Sequence, residues 1–128
     1  MSDTALVLEI LKQVRGAIKR ILLRFQPVES SSFFLDSEEG LEKLDGICMQ
    51  LIAIGESLKN LDKVAGAELL FRYPQVDWKS AKGMRDIISH HYFDLDAEAV
   101  FDVCETDLPN MLPVLERMID DVENNLLG

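Results

Sequence analysis

Between Trp78 and Phe93 the chain reads WKSAKGMRDIISHHYF, which places Arg85, His90, His91 and Tyr92 within eight residues of an otherwise acidic protein. An imidazole titrates near neutrality and can take or give a proton. A guanidinium is a permanently charged planar fork that matches the oxygens of a phosphate. Trp78, Ala81, Arg85, Ile88 and Tyr92 recur at steps of three and four, which sets them along one side of a helix. Arg85 and Tyr92 therefore share a face. His90 lies five positions beyond Arg85, roughly 140° around an ideal helix, and stands one turn above Asp86. One regular helix does not aim Arg85 and His90 at the same point. Either the helix ends there, or a second copy of the chain supplies the missing group.

The elements that must position these residues are helical. Pro74 to Trp78 turns the chain, and Asp77 is an N-cap for the helix carrying Arg85. Upstream, Val7, Leu11, Val14, Ile18, Ile21 and Phe25 predict a long amphipathic helix over Thr4 to Phe25, ended by Pro27. Pro27 to Leu35 reads as a loop. Asp36 and Glu39 have the form of a capping box. It opens a second long helix over Ser37 to Asn60, striped by Leu44, Ile47, Leu51, Ile54, Leu58 and Leu61 and widened by Leu41, Cys48 and Ile52. Glu56 borders that stripe. It is either solvated at the core edge or a partly buried carboxylate that needs a cation such as Arg85; the periodicity favours the solvated edge.

Asp62 to Tyr73 reads as a shorter helix or two turns, stopped by Pro74. Past Phe93, the triplet Asp94, Leu95 and Asp96 reads as a turn and cap leading into Ala97 to Cys104. A further cap at Thr106 or Asp107 precedes Pro109. Leu112, Leu115, Ile119, Val122 and Leu126 stripe the last helix. With no strand alternation, repeat or low-complexity tract, the expected architecture is all-α: one domain over residues 1–128, an up-and-down bundle of four long or five mixed helices.

A net charge of −10 argues against broad, non-specific nucleic-acid binding. That average conceals an asymmetry. Residues 1–26 carry Lys12, Arg15, Lys19, Arg20 and Arg24 against Asp3 and Glu9, a net of +3. Residues 94–128 carry ten acids against Arg117 alone, a net of −9. Oppositely charged first and last helices lying side by side, or meeting across a dimer, account for this; the sharper alternative is a first helix bordering a phosphate-binding groove. Cys48 and Cys104 lack the spacing of a zinc site and read as buried thiols, so no metal is expected. No run approaches the length of a membrane span, and the first residues do not resemble a signal peptide. These features predict a cytoplasmic protein that does not enter membranes.

The order Arg85, four residues, His90, one residue, Tyr92 resembles the signature of the HepT-like toxins of the HEPN superfamily of small helical proteins. The likeness extends along most of the chain: Ile54-Gly55-Glu56-Ser57-Leu58-Lys59, then Tyr73-Pro74 leading to Trp78, then Gly83-Met84-Arg85-Asp86, His90-His91-Tyr92-Phe93-Asp94-Leu95-Asp96 and Asp107-Leu108-Pro109. What this resemblance implies is a HEPN-like homodimer in which the motif helices of two subunits meet in a shared cleft. It also implies a metal-independent endoribonuclease of a type II toxin–antitoxin system, with no cofactor, and with RNA as substrate and Arg85 and His90 as catalytic residues. The implied partner is a minimal nucleotidyltransferase antitoxin that transfers AMP to Tyr92. AMP on Tyr92 would add bulk and a phosphate able to pair with Arg85 and block RNA entry.

The position after the Arg is commonly Asn in this family, whereas this chain has Asp86. Ionised, Asp86 would repel an incoming phosphate and could pair with His90 one turn away, either raising its basicity or holding the site shut. His91 could stand in for His90, or simply be an exposed residue at a helix end. Two other functions remain open: a non-catalytic subunit presenting a nucleotide or small substrate to a separate nucleotidyltransferase, and a purely structural helical partner.

Overall fold

The computed structural model describes residues 3–90 and 95–125, and among these the regular structure is entirely helical. Helix α1 spans Thr4–Phe25, with the Asp3 carboxylate accepting from the Leu6 N–H at 3.2 Å. Its predicted stripe of Val7, Leu11, Val14, Ile18 and Ile21 is buried. Phe25, half-buried, closes the stripe edge-on against Phe101, with ring centroids 5.0 Å apart. The segment expected to be a loop contains a one-turn helix, α2 (Phe33–Asp36). Phe34 is fully buried there and plugs the end of the core, which gives a short, otherwise polar segment its reason to fold.

Helix α3 runs Glu38–Ala65. Its cap is Ser37, whose hydroxyl accepts from the Gly40 N–H at 3.1 Å. The expected capping box of Asp36 and Glu39 is thus displaced by one residue, because Asp36 still belongs to α2. Gly40 permits that tight junction, since a Cβ there would stand 1.9 Å from the Phe33 carbonyl oxygen. The helix also runs on past Asn60, drawn by the fully buried Leu61, and stops at Gly66 with φ 88°. Asp62 to Ala65 therefore belong to α3, and what remains of the predicted shorter helix is the single turn α4 (Glu68–Phe71).

Helix α5 spans Trp78–His90. Asp77 caps it as expected: its carboxylate accepts from the Ser80 N–H at 3.1 Å and the Ser80 hydroxyl at 2.8 Å, and these bonds lower its pKa. Trp78 is buried, and its indole N–H donates to the Tyr73 carbonyl at 2.8 Å. The Tyr73 hydroxyl in turn donates to Asp121 at 2.6 Å. Burial, then that bond, push the phenol up to about 12. The start of α5 is thereby tied to the last helix.

Asp96 caps α6 (Ala97–Asp102), accepting from the Glu98 and Ala99 N–H groups at 3.0 and 3.3 Å; Asp94 lies outside the described residues. The break expected at Thr106 or Asp107 is absent. The backbone instead widens into a π-helical turn (Val103–Asp107) and continues as α7 (Leu108–Glu123), with no side-chain cap at Asp107. Pro109 has no N–H for the carbonyl four residues back, and its ring crowds that position, so a widened turn takes the place of a regular one. The core stripe of α7 is Leu108, Met111, Val114, Leu115, Met118 and Ile119. Leu112 and Val122, expected at its centre, are half-buried flanks, and Leu126 lies outside the described residues. Long, adaptable methionines took the central places.

Helix α3 packs between α1 and α5, and α7 lies along α1. Lys12 pairs with Glu123 at 3.1 Å and Lys19 with Glu116 at 3.8 Å, so the oppositely charged first and last helices lie side by side within one chain, one of the arrangements offered for the charge asymmetry, and they run antiparallel. Cys48 and Cys104 are free and buried. Burial pushes both thiols up to about 12, with a smaller push on Cys48 from Asp45 and on Cys104 from Cys48. Among the described residues no helix is long and apolar enough to cross a membrane.

Candidate functional site

Of the residues singled out by their chemistry, Arg85, Glu56 and Asp86 meet on the seam between α3 and α5. Gly55 allows the two backbones to close: a Cβ there would meet the Arg85 Cβ at 3.0 Å, the Lys82 carbonyl oxygen at 3.1 Å and the Arg85 nitrogen at 3.3 Å. A larger residue would lift α5 off α3. With the helices this close, the Arg85 Nε–H donates to the carboxylate of Glu56. The other side of the guanidinium is held by Asp86, whose Oδ1 accepts from Nη1 at 3.1 Å, while Asp86 Oδ2 accepts from Lys59 Nζ at 3.4 Å. Further along the seam, Lys82 Nζ donates to Asp62 at 2.6 Å.

These contacts fix the charge states. The hydrogen bonds that Arg85 donates to Glu56 and then Asp86 raise its pKa. Hydrogen bonds from Arg85 and then Lys59 hold the Asp86 carboxyl below its usual range. Glu56 combines the two readings offered for it. Its side chain is 53% exposed, so it is a solvated edge, yet it is also the anion that Arg85 grips.

Asp86 does not meet His90 through its carboxylate as the one-turn spacing suggested. Arg85 and Lys59 take the carboxylate, and His90 Nδ1 instead lies 3.0 Å from the Asp86 backbone carbonyl. A carbonyl only accepts, so Nδ1 is the donor in this contact, which leaves Nε2 as the ring nitrogen able to exchange a proton with a ligand. Within one chain Arg85 leans toward α3, whereas His90 sits on the side of α5 turned away from the core. Gly83, with nothing within 4 Å of a built Cβ, and Ile87, 55% exposed, occupy that same outer side. The two groups are therefore held apart in a single chain, in keeping with their angular separation. His91 and Tyr92 lie outside the described residues.

On its other flank α5 faces a cavity of about 210 Å³, floored by Leu51 and Ile54 and walled by Ala81, Met84, Leu108 and Met111. Among the described residues no three metal-ligating side chains converge. Lys59, Asp62 and Lys82 were not singled out by the sequence reading. Their signal was a run of charge at steps of three along one edge of α3 (Glu56, Lys59, Asp62) opposite Lys82, Arg85 and Asp86.

A helical bundle with a guanidinium and an imidazole on one capped helix, seated on a glycine in its neighbour, defines a class that sequence comparison makes specific. The chain belongs to the HepT-like ribonuclease family: residues 14–118, which contain the whole α3–α5 seam, match the family described as "Ribonuclease HepT-like". It is similar to "Putative RNase MJ0127" of Methanocaldococcus jannaschii, 35% identical over 77 residues that cover 60% of each chain. It also resembles "Putative RNase MJ1216" of the same organism, 30% identical over 59% of this chain and 58% of that protein. A third relative is "Putative RNase TTE0752" of Caldanaerobacter subterraneus subsp. tengcongensis, 30% identical over 54% of each. The matches thus span little more than half the length of these curated relatives. No solved structure matches the chain significantly.

Proposed function

We propose that this protein is a metal-independent endoribonuclease, acting as a homodimer in which α5 of each copy contributes Arg85 and His90 to one cleft. The observation that supports this most directly is His90, an exposed residue whose Nδ1 is tied to a backbone carbonyl, on the same helix as a phosphate-matching guanidinium. In the proposed reaction Nε2 of one His90 takes the proton of an RNA 2′-hydroxyl. The freed oxygen attacks the adjacent phosphorus. The His90 of the second copy, entering as the imidazolium, gives its Nε2 proton to the departing 5′-oxygen, leaving a 2′,3′-cyclic phosphate and a 5′-hydroxyl, and the two rings end with their protonation states exchanged. Arg85 would stabilise the crowded phosphorane, and Glu56 would hold Arg85 in register for it. Gly83 and Ile87, bare on the outer face of α5, support contact between copies there.

The biological setting in this reading is a type II toxin–antitoxin pair, with a minimal nucleotidyltransferase as antitoxin that places AMP on Tyr92. The test is RNA cleavage by the purified protein in a chelator. Activity that persists there and disappears in Arg85→Ala and His90→Ala supports the assignment, and full cleavage by either variant refutes it. The mass of the Tyr92 peptide after co-expression with the antitoxin tests the modification, and an unmodified peptide beside an active partner refutes that part.

One observation favours a second reading. Arg85 is already gripped by two carboxylates, which suits a subunit presenting a nucleotide or substrate to a nucleotidyltransferase rather than cutting RNA. Intact RNA after incubation with the isolated protein, together with nucleotide binding that depends on Arg85, would select it.

A further inference from the structure

The grip on Arg85 is asymmetric in a way that bears on how a phosphate enters. A guanidinium offers two bidentate edges, one made of Nε and Nη2 and the other of Nη1 and Nη2. Glu56 occupies Nε on the first edge, and Asp86 occupies Nη1 on the second. Each edge thus shares one of its two nitrogens with a carboxylate, and a phosphate that binds Arg85 bidentately must compete with Glu56 or Asp86 for it. The two carboxylates are not equally able to leave. No other cation holds Glu56 among the described residues, so displacing it strands an anion beside the incoming phosphate. Asp86 already bridges to Lys59, with Oδ1 on Arg85 and Oδ2 on Lys59. It can release the first and keep the second.

The contact to His90 is indifferent to this exchange, because it is made by the Asp86 backbone carbonyl, which stays in the helix when the side chain rotates. We infer that Asp86 and Lys59 form a carboxylate exchange that sets the affinity for RNA. At rest Asp86 holds Nη1 on the edge of Arg85 that an RNA phosphate needs, and when phosphate binds, Lys59 draws the carboxylate aside. Lys59 is a positioning residue here and does not touch the RNA. This inference rests on the proposal that Arg85 meets a phosphate, and it adds which residues gate that meeting.

The experiment is a four-protein cycle of wild type, Asp86→Asn, Lys59→Gln and the double variant. Kd is read with a single-stranded 2′-O-methyl RNA oligonucleotide, which has no 2′-hydroxyl to attack. Removing one negative charge beside the phosphate should tighten binding by roughly five- to tenfold at low ionic strength, and less as salt rises. Lys59→Gln should weaken binding several-fold in the wild-type background, because Asp86 loses its second cation. In the Asp86→Asn background it should leave Kd nearly unchanged. Equal weakening in both backgrounds would overturn the exchange and make Lys59 a direct phosphate contact. Unchanged or weaker binding by Asp86→Asn would overturn it as well, as would failure of all four proteins to bind. Cleavage of unmodified RNA is measured on the same four proteins. The expected Kd pattern without cleavage refutes the nuclease reading alone, whereas cleavage with identical Kd values refutes the exchange alone.

Discussion

Two seams in this molecule are lined by opposite charges between antiparallel helices, and they are built differently. Along α1 and α7 the pairs Lys12–Glu123 and Lys19–Glu116 share no residue, and their side chains are 43–56% exposed. Along α3 and α5 the ions are linked. Glu56 holds Arg85, Arg85 holds Asp86, and Asp86 holds Lys59, all over a glycine that lets the backbones meet. The first arrangement tolerates the motion of any one side chain. The second fixes a single guanidinium from two sides, and an over-determined group on an otherwise unremarkable helix belongs to function more than to stability, because exposed ion pairs stabilise little.

The largest effect that separates the seams is catalytic. Arg85→Ala or His90→Ala should lower RNA cleavage by roughly a thousandfold or more, whereas Lys12→Ala and Lys19→Ala should leave it within about twofold. Cleavage rates on one RNA under single-turnover conditions make the comparison. If the α1 variants lose as much as the α5 variants, the basic face of α1 borders the substrate and the contrast collapses.

Next is backbone approach. Gly55→Ala places a methyl against backbone atoms of Lys82 and Arg85, so α5 must shift, at a cost of about 1–2 kcal/mol in denaturant unfolding. Cleavage should fall with it as Arg85 is displaced from Glu56. Gly16→Ala in α1 meets only the tip of Arg20, at 4.0 Å, and should stabilise the fold by about 0.5–1 kcal/mol through helix propensity. Opposite signs confirm that only one seam depends on bare backbone. A smaller effect is expected for Glu56→Gln, which keeps an acceptor for Nε but removes the charge. The turnover rate should drop by about five- to tenfold as Arg85 loses register, with little change in unfolding midpoint.

How much of this was legible depended on whether the deciding interaction is local. Caps at Asp77 and Asp96 form within a few residues of themselves, and both could be read from the sequence. The stripes of α1 and α3 are strictly periodic, and they too were legible. The end of α3 was not, because Leu61 carries the helix onward by packing against distant partners. Nor was the π-helical turn before α7, where the polar residues at Thr106 and Asp107 imitate a cap but Pro109 decides the backbone. At the site, the separation of Arg85 from His90 followed from helical geometry alone. Arg85 as the partner of Glu56 was legible only as the less favoured of two readings, and the partners of Asp86 were not legible, because the carboxylate had several cations within plausible reach and only the approach of α5 over Gly55 selects among them.

The smallest effect concerns the α1–α7 pairs themselves. Lys12→Gln removes one cation from a 3.1 Å pair and Lys19→Gln one from a 3.8 Å pair. Exposed pairs of this kind contribute about 0.5 kcal/mol or less each, because water screens the charges and two long side chains must be ordered to meet. The charge around them enlarges the effect slightly, since the segment containing α7 is strongly acidic and each lost lysine also leaves its neighbours more repulsive. The two losses should add, as the sites lie two turns apart and share no partner. Urea unfolding of the double variant at low salt should therefore show a deficit of about 1 kcal/mol at most, shrinking toward zero near 1 M salt, where the screening length falls to about 3 Å. A deficit that persists at high salt would mean that the lysine stems, and not their charges, hold α7 against α1. This seam would then be a packing contact in which the ion pairs are incidental.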